Sequence, residues 1–123
     1  MATNLTIRLI DRPGTLADAS GALGRAGINI EAGCGYVCDG IGVFHVLVHD
    51  TERARRALID AGFEIQEERP VALAVVEDRP GSGAELLRRI ARGGANVDLL
   101  YMSADGRLVM SGSDVPAIER SLA

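Results

Sequence analysis

The chain contains an internal repeat, and this feature constrains its fold more than any other. The segment Asp11-Arg12-Pro13-Gly14-Thr15 recurs as Asp78-Arg79-Pro80-Gly81-Ser82, an offset of 67 residues (78 minus 11). The segment Gly27-Ile28-Asn29-Ile30 recurs as Gly94-Ala95-Asn96-Val97 at the same offset. Because two separate segments share one offset, the sequence predicts a duplicated fold with two similar halves.

The first half has the apolar spacing of a βαββαβ unit. Alternation from Asn4 to Ile10 predicts a strand, and the apolar residues after Pro13-Gly14 recur at helical spacing. Asp39-Gly40, between two apolar runs, is typical of a two-residue type I′ hairpin. The predicted strands are Asn4 to Ile10, Ile28 to Val37, Ile41 to Val48 and Phe63 to Glu68; the predicted helices start at Pro13-Gly14, with Pro13 in the first turn, and at Glu52 after a Thr51 cap, and they end at Gly27 and Gly62.

The second half repeats this order and is predicted to lack the fourth strand. Asp105-Gly106 corresponds to Asp39-Gly40 at an offset of 66 (105 minus 39), so one residue is missing from the second copy. Asp114 is predicted to cap a last helix that has Pro116 in its first turn. The predicted strands are Val71 to Val76, Val97 to Ser103 and Arg107 to Ser111, and the predicted first helix is Gly83 to Arg92.

The two halves are predicted to be domains of residues 1–69 and 70–123. Arg69-Pro70 joins them directly, without a flexible Gly/Ser linker. We therefore expect an α+β protein whose two antiparallel sheets lie side by side in one rigid unit, with four helices on one face. The other face of the first sheet is apolar enough to be covered by a second copy, which predicts a homodimer. That face carries Tyr36, Val43, His45 and Leu47.

Composition excludes several classes of function. The formal net charge is −4 and aromatic residues make up only 3%, which argues against nucleic acid as a partner. No apolar run approaches the roughly 20 residues that a membrane span needs, and the N-terminus shows no secretion signal. The two cysteines are expected to be free thiols. These features predict a cytoplasmic protein.

The repeated segments resemble the signature of ACT domains. A strand followed by Asp-Arg-Pro-Gly-Thr-Leu at residues 11–16, then a helix, then Gly-Ile-Asn-Ile at residues 27–30 is similar to the ACT pattern. The resemblance covers nearly the whole chain, once per half, although Gly83 takes the position of Leu16 and Ala95 that of Ile28. It implies small ferredoxin-like modules that bind amino acids and regulate enzymes such as phosphoglycerate dehydrogenase and aspartokinase. We expect a free-standing tandem ACT protein.

The start of the first helix in each half is the expected ligand site. A helix N-terminus presents unpaired N–H groups and a partial positive charge, which suit a carboxylate. Gly14 has no Cβ and lets a ligand approach the backbone closely. Asp11, at the strand end, is placed to accept a hydrogen bond from an α-ammonium group.

The resemblance extends this site to a neighbouring module. In ACT domains the ligand lies between this loop of one module and the second strand of another. Carried over, the first site comprises Asp11, Arg12, Pro13, Gly14, Thr15 and Leu16 with the strand residues Asn29 and Ile30, and the second comprises Asp78, Pro80, Gly81 and Ser82 with Asn96 and Val97. The alternatives are an Asx turn that only caps the helix and a bond from Asn29 to neighbouring backbone.

Two other residues, Cys34 and His45, could form a metal site. With a two-residue turn at Asp39-Gly40 they lie directly opposite each other, with Cβ atoms about 5 Å apart. His49 is about 13 Å further along the strand, and a structural zinc site needs four ligands. We therefore expect no metal or other cofactor, and a metal-binding regulator is retained as an alternative.

Catalysis has little support in the sequence. The Gly33-Cys34-Gly35 run lies inside a predicted strand and is not followed by Lys-Ser/Thr, so it is not a phosphate loop. With no catalytic constellation, we expect a protein that is not an enzyme. The expected function is a regulatory protein that senses a free amino acid at module interfaces and modulates a partner enzyme or regulator. The alternative is a dimerisation or scaffold module without a ligand.

Overall fold

The structure, a computed structural model, describes residues 2–123. The chain forms two compact units, Met1–Arg69 and Pro70–Ala123. Each unit has its own hydrophobic core. In the described part of the chain, no helix is both long enough and apolar enough to cross a bilayer.

The first unit is a four-stranded antiparallel sheet with two helices. The strands lie in the order β2-β3-β1-β4. The elements are β1 (Thr3–Ile10), α1 (Thr15–Arg25), β2 (Ala32–Cys38), β3 (Ile41–Val48), α2 (Thr51–Asp60) and β4 (Glu64–Pro70). Alternate side chains of β1, Leu5, Ile7 and Leu9, are buried in a core with Leu23 of α1 and Leu58 of α2.

The second unit is a smaller copy of the first. Its three strands lie in the order β5-β7-β6. The elements are β5 (Ala72–Val75), α3 (Ser82–Arg92), β6 (Leu99–Met102), β7 (Arg107–Ser111) and α4 (Val115–Leu122). The observed architecture confirms the predicted α+β fold of two βαββαβ modules, the second without its last strand among the described residues.

The first hairpin has the predicted turn and register. Asp39 and Gly40 both have positive φ, at 52° and 77°, as a type I′ turn requires. Cys34 is therefore paired with His45 across β2 and β3. The face predicted to be covered by a second copy is already partly buried within one chain, because Leu47 and His45 are 2% and 7% exposed.

The second hairpin is different from the prediction. The Ser103 amide bonds the Arg107 carbonyl, and the Gly106 amide bonds back to the Ser103 carbonyl. The loop therefore has three residues, Ala104 to Gly106, and only Gly106 has positive φ, at 84°. A three-residue loop with glycine in the left-handed position is the usual alternative to the two-residue turn.

Several element boundaries also differ from the prediction. Pro13 lies before α1 rather than in its first turn, and Gly14 is the N-cap. Asp50, not Thr51, caps α2, because its carboxylate accepts from the Arg53 amide at 3.1 Å. The predicted Asp114 cap of α4, with Pro116 in the first turn, is confirmed.

The residues predicted to open the second strand of each half lie outside that strand. Asn29 and Ile30 precede β2, and Asn96 and Val97 precede β6. The chain leaves α1 with the Ile28 amide bonded back to the Leu23 carbonyl at 2.9 Å. This bond keeps the segment that follows α1 close to the C-terminal end of the helix. Pairing between β2 and β3 therefore starts only at Ala32.

Candidate functional site

The loop between β1 and α1 is fixed by one hydroxyl group. The Thr15 side chain is buried, and its Oγ1 lies 2.7 Å from the Ile10 carbonyl and 3.1 Å from the Arg12 carbonyl, both within its donor reach. Gly14 has a φ of 94°, in the left-handed region. An added Cβ there would meet nothing within 4 Å, so φ, rather than close approach, is what requires glycine.

The loop between β5 and α3 has the same construction. Ser82 is buried, and the carbonyls of Glu77 and Arg79 both lie within donor reach of its Oγ. Gly81 has a φ of 87°. Both copies of the repeated segment therefore form the same turn, with Ser82 taking the place of Thr15.

The four helices start in two different ways. Asp50 and Asp114 cap α2 and α4, each accepting a hydrogen bond from an amide of the first turn. At α1 and α3 the N-cap is glycine and, within the described residues, no side chain caps the helix. The Asx cap considered for Asp11 and Asp78 is therefore not formed, and the first-turn amides lack a side-chain acceptor.

A cleft of about 230 Å³ lies beside the start of α1; we call it the first loop cleft. It is bounded by the β1–α1 loop, the end of β2 and the start of β3. Its lining residues are Leu9, Ile10, Asp11, Arg12, Thr15, Leu16, Gly35, Tyr36, Val37, Gly42 and Val43. Pro13 and Gly14 complete the loop without lining this cleft.

A cleft of about 360 Å³, the second loop cleft, lies at the equivalent place beside α3. Its lining residues are Val76, Glu77, Asp78, Arg79, Ser82, Gly83, Met102, Gly106 and Leu108. Those from Val76 to Gly83 are the counterparts of residues lining the first loop cleft at the offset of 67, for example Ser82 for Thr15. Pro80 and Gly81 complete the second loop without lining this cleft. The repeat therefore produces the same cleft in each unit by itself.

The predicted strand residues are not brought into these clefts. Asn29 lines a separate cleft of about 300 Å³ that also contains a contact between His49 and Glu31, with Nε2 and Oε2 2.9 Å apart. Ile30 and Val97 pack against the cores of their units. The Asn96 carbonyl lies against Gly112, where an added Cβ would come within 2.1 Å of it.

The cleft residues that the ligand prediction did not include come from the hairpins. Tyr36 and Val37 line the first loop cleft, and Met102 lines the second. All three are more than half exposed, which is unusual for large apolar side chains. The sequence showed these positions as strand residues, but their place beside the loop depends on the strand order.

The charged groups at the two loops differ. Arg79 donates to Glu77 at 2.8 Å and to Glu85 at 3.0 Å, and these bonds raise the pKa of its guanidinium. Its counterpart Arg12 makes no ion pair with any described residue, and the Asp11 carboxylate is likewise exposed without a hydrogen-bond donor among them. The first loop therefore presents one available anion and one available cation.

A chain of hydrogen bonds runs from the first loop cleft into the sheet. Tyr36 Oη lies 3.2 Å from His45 Nε2, and His45 Nδ1 lies 3.1 Å from Thr6 Oγ1 and 3.4 Å from Asn4 Nδ2. Asn4 Nδ2 can only donate, so Nδ1 accepts and Nε2–H donates to Tyr36. Burial lowers the pKa of His45, while Glu67 opposes this shift and Arg69 adds to it. The net lowering favours the neutral ring.

Cys34 is paired with His45 across β2 and β3, whereas Cys38 is exposed at the end of β2. Cys34 and Cys38 are free thiols, and burial raises the pKa of Cys34, so it is a weak nucleophile. Among residues 2–123, no three His, Cys, Asp or Glu side chains are grouped so as to hold an ion.

The comparisons with known proteins give structural relatives only. No protein-family profile matches the sequence, and no curated protein matches it. Protein BT0572 from Bacteroides thetaiotaomicron superposes with a TM-score of 0.86 at 23% identity, over 98% of this chain and 85% of that one. The ligand-free regulatory subunit of aspartate kinase from Thermus thermophilus superposes with a TM-score of 0.73 at 22% identity, over 98% and 89%.

A more distant likeness involves a liganded enzyme. Aspartokinase III from E. coli, in complex with lysine and aspartate, matches with a TM-score of 0.58 at 19% identity, over 98% of this chain and 30% of that one. At these identities the likeness shows a shared fold. The chain therefore shares the fold of these proteins, with one βαββαβ module and one βαββα module among the described residues.

Proposed function

We propose that this chain is a non-catalytic regulatory protein that binds a free amino acid at its loop clefts and modulates a partner enzyme or regulator. One observation carries the proposal. The same cleft occurs in both units, each beside a helix that starts without a side-chain cap. Uncapped amides at a helix start attract a carboxylate, because they combine N–H donors with the positive end of the helix dipole.

The first loop cleft has groups for both ends of a zwitterion. Arg12 and the amides of the first turn suit the carboxylate, and Asp11 suits the α-ammonium group. The exposed apolar surface of Leu16, Tyr36 and Val37 suits an apolar side chain. At about 230 Å³, the cleft favours a residue of modest size.

The regulatory role is supported by the fold. Two structural relatives with TM-scores of 0.73 and 0.67 are regulatory subunits of aspartate kinase, from Thermus thermophilus and Thermus flavus. In this proposal the protein acts in the cytoplasm as a homodimer. A second module supplies the remaining wall of each site, through Asn29 and Ile30 or through Asn96 and Val97, as the ACT resemblance implies.

A dimerisation or scaffold role is the second candidate, and exposed apolar side chains favour it. Ile10 is 69% exposed and lies next to Leu16, Tyr36 and Val37 around the first loop cleft. In this case a protein surface, rather than an amino acid, covers the cleft.

A thermal-shift screen of the twenty amino acids at millimolar concentration tests the proposal. A ligand present at 100 times its dissociation constant stabilises the folded state by about 2.7 kcal/mol. Gly35→Val should remove binding at the first loop cleft, because the added side chain fills it while its Cβ makes only ordinary contacts of 3.7 Å. Gly83→Leu should do the same at the second, where an added Cβ has open space.

Gly24→Leu is the matched control. Gly24 is an exposed helical glycine of α1, away from both clefts, and an added Cβ there meets nothing within 4 Å. It should leave the ligand-induced shift unchanged. A flat response to all twenty amino acids, with light scattering showing a dimer that Gly35→Val disrupts, would favour the scaffold role.

A further inference from the structure

A second, larger cavity borders the β1–α1 loop on the side away from the first loop cleft. It has a volume of about 500 Å³ and lies between β1, α1 and the segment that joins α2 to β4. Three arginines line it, Arg8, Arg12 and Arg25, together with two acids, Asp18 and Glu64. We call it the arginine cleft. Its excess of positive charge contrasts with the formal net charge of −4 of the whole chain.

Two of these guanidinium groups are available to a ligand. Arg8 has a loose contact with Glu64, with Nη1 and Oε2 4.0 Å apart. Arg12 and Arg25 form no ion pair with any residue from 2 to 123, although Asp18 lines the same cavity. An anion that enters this cavity therefore does not have to displace an internal carboxylate from Arg12 or Arg25.

Gly21 holds one of these groups close to the helix. The position of an added Cβ at Gly21 lies 3.2 Å from Arg25 Nη1, so the Arg25 side chain folds back over this glycine. An alanine at position 21 would require this guanidinium to move by a few tenths of an ångström. The counterpart of Gly21 in the second half is Arg88, at the offset of 67.

The second half lacks the arginine cleft. The counterpart of Arg8 is Val75, and the described chain has no strand equivalent to β4 in that unit. The counterpart of Arg12 is Arg79, which Glu77 and Glu85 already bind. The cleft is therefore specific to the first unit and is not a general result of the repeat.

We propose that the arginine cleft binds a compact dianion, either a phosphate group or a small dicarboxylate. Guanidinium groups bind both through paired N–H donors, and several of them around one cavity favour two negative charges over one. Asp18 and Glu64 leave a net charge of +1 among the five lining charges, so the preference for a dianion comes from the paired N–H donors of the guanidinium groups rather than from the net charge of the cavity. This site shares Arg12 with the first loop cleft, but it does not require an amino acid to be bound there.

An NMR titration of the full chain, labelled with ¹⁵N, tests this site. Inorganic phosphate and succinate are added separately at constant ionic strength, with acetate as the monoanion. We expect saturable shifts at the amides of Arg8 to Ile10 and Gly62 to Glu64 with at least one dianion, and binding of acetate at least tenfold weaker. If phosphate gives the saturable shifts, the natural ligand carries a phosphate group; if succinate gives them, the natural ligand is a small dicarboxylate.

Three variants distinguish binding at the arginine cleft from non-specific electrostatic attraction. Arg25→Gln should weaken dianion binding at least fivefold, and Gly21→Ala should weaken it while keeping every charge and increasing helix propensity. Arg92→Gln, the counterpart of Arg25 in α3, should leave it unchanged. Shifts that do not saturate, equal losses in Arg25→Gln and Arg92→Gln, or acetate binding as tight as the dianions would overturn the proposal.

Discussion

In the first half Arg12 is unpaired among the described residues, whereas its counterpart Arg79 in the second half is held by Glu77 and Glu85. The backbone around these two arginines is nearly the same, with glycines at φ of 94° and 87°. The duplication has therefore kept the loop and changed the side chains that surround it. Both halves have the same loop backbone, because the fold requires it. The charged side chains around the loop differ, and this difference allows the two halves to differ in function.

The same contrast appears on the sheets. Asn4, Thr6 and His45 form a buried polar network in the first half. At the offset of 67, Val71 and Leu73 replace Asn4 and Thr6, and at the offset of 66 Ser111 replaces His45. Ser111 donates to the Pro70 carbonyl at 2.9 Å, so the second half has no titratable group at this position.

The largest expected difference between the halves is in their cores. Leu23 and Ile90 are counterparts, and both are almost completely buried. Each should lose about 3 kcal/mol of stability on substitution by alanine. The first core contains eleven buried residues and the second six, so Ile90→Ala should open its unit more completely. Hydrogen exchange resolved by segment measures this, and equal protection in both units would contradict it.

Replacing the loop glycine by valine should lower the free energy of unfolding by a similar amount in each half, slightly less than the core substitutions do. Gly14→Val and Gly81→Val force a β-branched residue into the left-handed region, which costs about 2 kcal/mol. Urea unfolding measures this cost, and Gly83→Ala is the control because its φ is not positive. An effect at Gly14 alone would show that the two loops are not equivalent.

Loss of the buried hydroxyl should have a smaller and matched effect. Thr15→Val and Ser82→Ala each remove the donor to two loop carbonyls and should destabilise by about 1 kcal/mol. Thr15→Ser should restore most of that loss in the first half. If urea unfolding shows that the losses in free energy of unfolding for Thr15→Val and Ser82→Ala differ more than twofold, the two hydroxyl groups do not have equivalent roles.

The polar network of Asn4, Thr6 and His45 should make the stability of the first half, but not that of the second, decrease in mild acid. The pKa of His45 is lower when the protein is folded than its ordinary value of 6.5. The unfolded chain therefore binds the proton more tightly, and the stability from neutral His45 is present above pH 6.5 and is lost as the pH falls below it. His45→Gln should flatten the fall of the unfolding midpoint from pH 7 to 5.5. An unchanged slope would show that other groups titrate there.

The smallest effect is expected at the exposed ion pairs of the second loop. Glu77→Gln with Glu85→Gln releases Arg79, but exposed pairs contribute little to stability. The urea midpoint should stay unchanged, while ¹⁵N relaxation of Arg79 Nε should show a more mobile side chain. A large drop in the midpoint would mean that these contacts support the loop.

Periodicity, turn signals and the repeat predicted the order of helices and strands in both units, although the Asp105-Gly106 signal gave the wrong loop length. The repeat, the alternation in β1 and the Asp39-Gly40 turn are all local, and each local preference agrees with the structure. The start of β2 was predicted wrongly because Ile28 and Ile30 alternate as strand residues do. Their burial comes instead from packing beneath the end of α1, which is a tertiary effect.

The candidate site was only partly predictable. Asp11, Arg12, Thr15 and Leu16 line one cleft; local sequence suggested Asp11 and Thr15, and the ACT resemblance added Arg12 and Leu16. The inclusion of Tyr36 depends on the strand order β2-β3-β1, which brings the end of β2 close to the loop. The pairing of Arg79 is visible in the sequence only in part. Its partner Glu77 has Ile10 as the counterpart in the first half, but Glu85 has the acid Asp18, and only the structure shows that Asp18 does not pair with Arg12.

Arg12 borders two cavities, the first loop cleft and the arginine cleft. One side chain cannot bond fully to occupants of both at once, so an occupant of either cleft should weaken the other by the same factor. Asp11 lines one of these cavities and Asp18 the other, so under both proposals the side chain of Arg12 links the binding of an amino acid to the binding of a dianion.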